Sequence, residues 1–252
     1  MAMHFVNVDI RGGVAEITLN RPKVNAINER VVHELAQCLN EIRGDDTAKA
    51  LILTGEGSFF SFGFDVPELY HYDKKDFTEF MLNFSDMLRS VFLFPKPVVA
   101  ALNGHTIAGA CILALACDYR LMVAEKAKIS LNEITFGSTL FCSAVEMLRF
   151  LVGSRSASTI LYSGRMYSAD EAVRFGLVDK AVAREELLSS ARSVAEDHIN
   201  TDGPAFRGIK CLLKNRIADY IRDSEKDSVL EFVDIWYSES VRASLRKIVI
   251  KD

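Results

Sequence analysis

Hydrophobic and polar positions change period several times along the chain, and each change predicts a new element. Residues 6–20 alternate in two short runs, VNVDI and VAEITL, on either side of Arg11-Gly12-Gly13, a pattern that predicts a β-hairpin. From Asn28, a residue suited to cap a helix, Val31, Val32, Leu35, Leu39 and Ile42 recur at helical spacing as far as Gly44. The apolar run Ala50-Leu51-Ile52-Leu53-Thr54 predicts a strand covered on both faces. A second helical stretch, 75–92, stops before Pro95-Lys96-Pro97, after which 98–102 reads as another covered strand. Gly104 and Gly109 bracket a turn into a small-residue helix at 110–116, followed by strands at 119–123 and 128–130. Beyond Asp179 long, charge-rich helical patterns take over, one of them with Leu230, Phe232, Trp236 and Tyr237 on its apolar face. With no fixed repeat and no low-complexity tract, the pattern predicts an α/β fold with a helical C-terminal appendage.

Composition narrows the partners. A chain of 252 residues, 49% hydrophobic and 25% charged, supports one catalytic domain plus that appendage. The net charge of −4, without a Lys/Arg run interleaved with aromatics, argues against nucleic acid. Cys38, Cys111, Cys117, Cys142 and Cys211 are odd in number and lack a CxxC spacing, so buried free thiols in a reducing compartment are expected, and no metal site. Residues 1–5 carry no basic and apolar leader, no apolar run approaches about 18 residues, and Ile250-Lys251-Asp252 is not a peroxisomal tripeptide; a cytoplasmic protein away from membranes is the expectation.

Three segments bring together donors and a base of the kind enolate chemistry requires. In Gly57-Ser58-Phe59-Phe60-Ser61-Phe62-Gly63-Phe64-Asp65 a strand exits into a glycine-permitted turn whose backbone N–H groups can face a ligand, although alone it reads better as a simple loop. In Asn103-Gly104-His105-Thr106-Ile107-Ala108-Gly109-Ala110-Cys111 small residues allow close backbone approach just where a helix begins. A helix N-terminus there directs unsatisfied N–H groups toward developing negative charge. Ser130-Leu131-Asn132-Glu133-Ile134-Thr135-Phe136-Gly137 sets a carboxylate among apolar neighbours at the end of a short strand. Desolvation there raises a carboxyl pKa, whereas a lone Glu in a loop is more often a solvated charge or a cap, and only the company it keeps favours the first reading.

These segments occur in order with Leu19-Asn20-Arg21-Pro22-Lys23-Val24-Asn25-Ala26, Lys96-Pro97-Val98-Val99-Ala100-Ala101-Leu102-Asn103-Gly104, Cys117-Asp118-Tyr119-Arg120 and Gly164-Arg165-Met166-Tyr167-Ser168-Ala169-Asp170-Glu171-Ala172. Together they resemble the crotonase (enoyl-CoA hydratase/isomerase) superfamily across residues 6–182. The resemblance implies a spiral of repeated ββα units over 1–195 with an acyl-CoA site, then a helical oligomerisation region over 196–252 in a homotrimer or dimer of trimers. It implies an oxyanion hole made by the N–H groups of Phe64 and Gly109. A bent CoA would be held largely by backbone around Lys23, Val24 and Ala26 and around Ser61, Phe62, Gly63, Phe64 and Asp65. No metal or redox cofactor is implied; CoA arrives with the acyl-CoA thioester substrate, and the setting implied is fatty acid β-oxidation.

The motif positions also bear on subtype. Hydratases that the chain resembles use two glutamates to activate water; the later one matches Glu133, but Ile112 stands at the earlier position. An isoleucine neither orients water nor exchanges a proton, and its apolar surface would help dry the cavity. Shifting a double bond from the 3 to the 2 position needs only one shuttling carboxylate, and Cys117-Asp118-Tyr119-Arg120 with Leu131-Asn132-Glu133 looks like the Δ3,Δ2-enoyl-CoA isomerase branch. Phe141 stands where the dienoyl-CoA isomerase branch puts a further acid. The rival readings are a hydratase or another crotonase-type lyase or hydrolase, and a catalytically silent acyl-CoA binder. Phe62 and Phe64 replace the small residues usual in the family, and 138–143 lacks the usual Pro and Gly.

The other notable residues have structural readings. His105 reads as a hydrogen-bonding loop histidine, Glu146 as the partner of Arg149 in an exposed ion pair, and Asp65 and Asp118 as acceptors for N–H groups at turns. Phe232, Trp236 and Tyr237 read as packing, and Arg242, Arg246, Lys247 and Lys251 as a solvated helix face.

Overall fold

The computed structural model describes residues 3–199, 203–248 and 250; the expectations for 1–2 and for Lys251 and Asp252 lie outside them. In chain order come β1 (Val6–Arg11), β2 (Val14–Leu19), α1 (Glu29–Gly44), β3 (Ala50–Gly55), β4 (Phe59–Ser61), α2 (Val66–Leu69), α3 (Lys74–Phe92), β5 (Val98–Leu102), β6 (His105–Ile107) and α4 (Gly109–Ala116). There follow β7 (Tyr119–Val123), β8 (Ile129–Ser130), a 3-10 turn (Glu133–Phe136), α5 (Cys142–Ser163), α6 (Ala169–Phe175), β9 (Lys180–Val182), α7 (Leu187–Ile199), α8 (Gly203–Trp236) and α9 (Glu239–Leu245).

The strands form two sheets, ordered β1-β2-β3-β5-β7-β9 and β4-β6-β8. Only the β1–β2 hairpin is antiparallel; every other pairing is parallel. After each of β3, β5 and β7 the chain drops one short strand into the small sheet and then enters a helix. That rule of advance is the spiral of ββα units. It also stacks the exits of β4, β6 and β8 side by side, the three places the sequence singles out for chemistry.

Local physics explains the elements. Asn28 caps α1 by accepting from the N–H of Val31 at 3.1 Å. β3 is buried at all six positions because β2 and β5 flank it and helices cover both faces. α4, GACILALA, is buried at every residue and carries no charged side chain, as a helix enclosed on all sides requires. β9 departs from the expectation of unbroken helix beyond Asp179: its pairing with β7 at Leu121↔Lys180 and Val123↔Val182 makes a strand from three residues with no pattern of their own. α7 packs against β2, β3, β5 and β7, so the expected division at 195/196 falls inside a sheet-packing helix.

α8 instead packs on α3 and α5, tied to the sheet by a buried charge cluster. Asp118 accepts from the N–H of Val98 at 2.9 Å, as its turn reading anticipates, and also holds Lys210 at 2.6 Å and Lys214 at 2.7 Å. Both lysines are only 5% exposed, and burial pushes the Lys210 ammonium down to about 8 against the pull of Asp118. All five cysteines are free; Cys38, Cys111 and Cys117 are buried, whereas Cys142 and Cys211 are half-buried, short of the expectation. No helix among the described residues is long and apolar enough to cross a membrane.

Candidate active site

The strand exits open on a cavity of about 470 Å³. Its rim and walls come from Lys23, Val24 and Ala26, from Phe59, Phe62, Phe64, Val66 and Pro67, and from Ile107 and Ala108. Asn132, Glu133, Phe136, Phe141, Phe232, Trp236, Ile248 and Ile250 complete it. Among the described residues Glu133 is its one carboxylate, surrounded by aliphatic and aromatic side chains.

Glu133 opens the 3-10 turn that follows β8 and is 6% exposed. Burial pushes its carboxyl up to about 7, only partly offset by a bond from its own backbone N–H. Its Oε2 has no partner, nor does Asn132 Oδ1 beside it. Buried polar atoms are nearly always satisfied; among the described residues these two have no partner, and both residues line the cavity.

Two backbone donors stand nearby. A Cβ added to Gly63 would lie 3.3 Å from the N of Gly109 and 2.6 Å from the carbonyl oxygen of Ile107, so the β4 exit loop and the start of α4 touch. Neighbouring amides in that loop are engaged: Gly63 N–H bonds Ser61 Oγ, and Asp65 N–H bonds the Ile27 carbonyl. The N–H groups of Phe64 and Gly109 have no partner among the described residues. Non-glycine residues with positive φ are Lys23 (φ 78), Asn25 (φ 50) and Ala108 (φ 51), all in the cavity wall or next to it. Strain of this sort persists where the surroundings enforce it. Here Asn25 Nδ2 ties the first loop to the carbonyls of Glu56 and Phe59.

The Phe64 ring lies over Gly109, where a Cβ would come within 2.9 Å of its Cε1. It is wedged edge-on against Phe80 at 5.3 Å and Phe84 at 4.9 Å. Gly109→Ala therefore has no room, and we expect kcat to fall about 10²-fold as the donor moves. Adding Phe64→Ala to that variant restores most of the loss in steady-state assays.

The remaining site expectations divide. Lys23, Val24, Ala26, Phe62, Phe64, Phe141 and Glu133 line the cavity; Ser61, Gly63, Asp65, Gly109 and Ile112 do not contribute side-chain wall. Ser61 is fully buried beneath the loop it braces, and Asp65 caps α2 through the Glu68 N–H and pairs with Arg21. Ile112, one turn into α4 and 1% exposed, is not among the residues that line the cavity.

Phe232 and Trp236 pack as expected, Trp236 stacking on Phe77 at 4.6 Å, but they line the cavity as well. Arg242 and Arg246 are not simply solvated: Arg242 lies 3.5 Å over the Tyr70 ring and Arg246 Nε donates to Tyr70 Oη at 3.1 Å. Glu146 pairs with Arg149 at 2.7 Å. His105 belongs to β6 and packs on Phe59, with burial lowering its pKa.

A spiral of ββα units whose strand exits enclose an apolar cavity is the architecture of the crotonase fold. The chain belongs to the enoyl-CoA hydratase/isomerase family, whose model matches residues 9–244. It is 29% identical to the short-chain-enoyl-CoA hydratase of Clostridium acetobutylicum, over 93% of this chain and 96% of that one. It is also 29% identical to mitochondrial enoyl-CoA delta isomerase 1 of Mus musculus, over 95% of this chain and 83% of the mouse protein. The crystal structure of human mitochondrial Δ3-Δ2-enoyl-CoA isomerase superposes with a TM-score of 0.92 at 26% identity, covering 96% of each chain. A crotonyl-CoA hydratase of Syntrophomonas wolfei is 33% identical over 77% of this chain and 75% of that one; with relatives of both names at such similar identities, the choice of reaction rests on the site.

Proposed function

We infer that the chain shifts the double bond of a 3-enoyl-CoA to the 2 position. The observation that carries this reading is the single buried carboxylate in an otherwise apolar cavity. With the thioester oxygen at the N–H groups of Phe64 and Gly109, charge developing on it meets fixed dipoles. Glu133 removes a proton from C2, the electrons spread into a dienolate, and the same carboxyl returns the proton at C4. No proton is gained or lost overall, and no cofactor enters beyond the CoA carried by the substrate. A base with a pKa of about 7 suits this exchange near neutral pH.

Hydration is the second reading, favoured by one feature: the partnerless Asn132 Oδ1 next to Glu133 offers a second polar group to a water. Incubation with 3-hexenoyl-CoA and with crotonyl-CoA separately tests the choice. Fast isomerisation of the first and little hydration of the second are expected; fast hydration without isomerisation overturns the reading.

The helical C-terminal region is proposed to assemble the protein into a homotrimer or dimer of trimers. α8 exposes Ile209 (60%), Leu212 (87%) and Leu213 (60%), and Tyr220 (57%) two turns further along, apolar surface that a lone chain would leave in water. Leu212→Glu with Leu213→Glu should convert the assembly to monomers in sedimentation velocity; a wild-type protein that sediments as a monomer removes the proposal.

A further inference from the structure

The far wall of the cavity includes a part that neither motif nor sheet supplies. Ile248 and Ile250 follow α9 outside any helix or strand, and both line the cavity. Phe64, Phe141, Phe232 and Trp236 also line it, interlocked with one another and with Phe84 behind them: Phe64–Phe84 at 4.9 Å, Phe84–Phe141 at 6.3 Å, Phe141–Phe232 at 5.7 Å and Phe232–Trp236 at 5.9 Å. Phe84 sits on α3, Phe141 at the N-cap of α5, and Phe232 and Trp236 on α8; these helices pack on one another, so a lengthening ligand cannot push the rings aside without disturbing the core. In the tail the Ile248 N–H bonds the Leu245 carbonyl at 2.9 Å, within its own turn, and the Ile248 side chain packs against the core.

The position of the tail is nevertheless defined. α9 buries Val241 and Leu245 to 1% exposure. Val241 reaches Gly137, which closes the 3-10 turn of Glu133; a Cβ there would lie 3.6 Å from Val241 Cγ2. On the other side Arg242 and Arg246 hold Tyr70, the residue that ends α2. α9 is thus anchored between the turn carrying the carboxylate and the helix following the Phe64 loop. The two isoleucines are presented to the cavity from that anchor.

We propose that Ile248 and Ile250 form the end wall of the acyl pocket and set the length of acyl chain the enzyme accepts. The proposal rests on the acyl-CoA reading above and adds a specificity determinant to it. Each methylene that enters an apolar pocket raises affinity about fourfold. Affinity therefore climbs with chain length until the chain meets the tail, then stops or falls. Shortening the two side chains moves that break outward, and enlarging one moves it inward.

Saturated acyl-CoAs from butyryl-CoA to palmitoyl-CoA lack a double bond to shift, so calorimetric titration of this series reads the pocket without turnover. Ile248→Ala with Ile250→Ala should move the break to chains at least about two methylenes longer and raise the ratio of long- to short-chain affinity about tenfold. Ile250→Trp should move the break to shorter chains, and decides the matter if the double variant fails to fold. A break that stays in place in the folded variants overturns the role of the tail while leaving the acyl-CoA reading intact. A wild-type protein that binds none of the series overturns the acyl-CoA reading, and the tail proposal with it.

Discussion

Replacing Glu133 by Gln should lower isomerase turnover about 10²- to 10⁴-fold and, in the same protein, raise the stability of the fold above neutral pH. The two effects share a cause. Burial pushes the Glu133 carboxyl from the ordinary 4.5 up to about 7, so the folded state holds this proton more tightly than the unfolded chain does. Below pH 4.5 both states are protonated and the residue costs nothing; between 4.5 and about 7 the cost grows; above that it is complete. Its full size is about 3 kcal/mol. Urea denaturation of wild type and Glu133→Gln at about pH 8 and about pH 4 should show the variant more stable at the higher pH and nearly equal at the lower. For the wild-type enzyme, kcat/KM should rise with pH to a plateau above about 7 if Glu133 is the base proposed above, since only an ionised carboxylate accepts a proton. A variant destabilised at both pH values would mean that this carboxylate is a structural anchor.

Asp118→Ala should destabilise the fold by about 3–5 kcal/mol, the cost of leaving buried charge unpaired. Lys210 and Lys214, each 5% exposed, share this one carboxylate at 2.6 and 2.7 Å. Lys214 also lies 4.3 Å over the Phe92 ring, which does nothing to neutralise it. Substituting all three, with Asp118→Leu, Lys210→Met and Lys214→Met, should return most of the stability, because an apolar cluster of similar volume avoids the desolvation of three ions. Chemical denaturation of the two variants measures both effects, and α8 should be the first helix to lose amide-exchange protection in Asp118→Ala.

The parts of this molecule legible in its sequence are those whose physics is local. Asn28 before an apolar period of 3.6, the glycine turn at 11–13 and the apolar runs at 50–54 and 98–102 specify their elements through neighbours a few residues away, and each formed with bounds close to those expected. Glu133 was legible because a carboxylate stood among apolar residues within motifs that repeat in a known order. What was not legible depends on partners far along the chain. Asp118 meets lysines more than ninety positions later, and nothing around either marks the other. Ile248 and Ile250 line the cavity only because α9 folds back over α2 and the Glu133 turn; as residues near the chain end they carry no period or motif. Ile112 shows the converse limit. The motif draws attention to this position through its expected acid, and says nothing of how α4 packs, which leaves Ile112 out of the cavity lining.

The claim at the centre is that one carboxylate carries one proton from C2 to C4 inside a cavity that admits little water. A 3-enoyl-CoA deuterated at C2 and turned over in ordinary water tests it, with the label read at C4 of the 2-enoyl product. Retention of a substantial share of the deuterium at C4, lost together with activity in Glu133→Gln, is the result expected. Complete washout of the label, with turnover persisting in Glu133→Gln, would show that the proton travels by another route and that Glu133 is not its carrier.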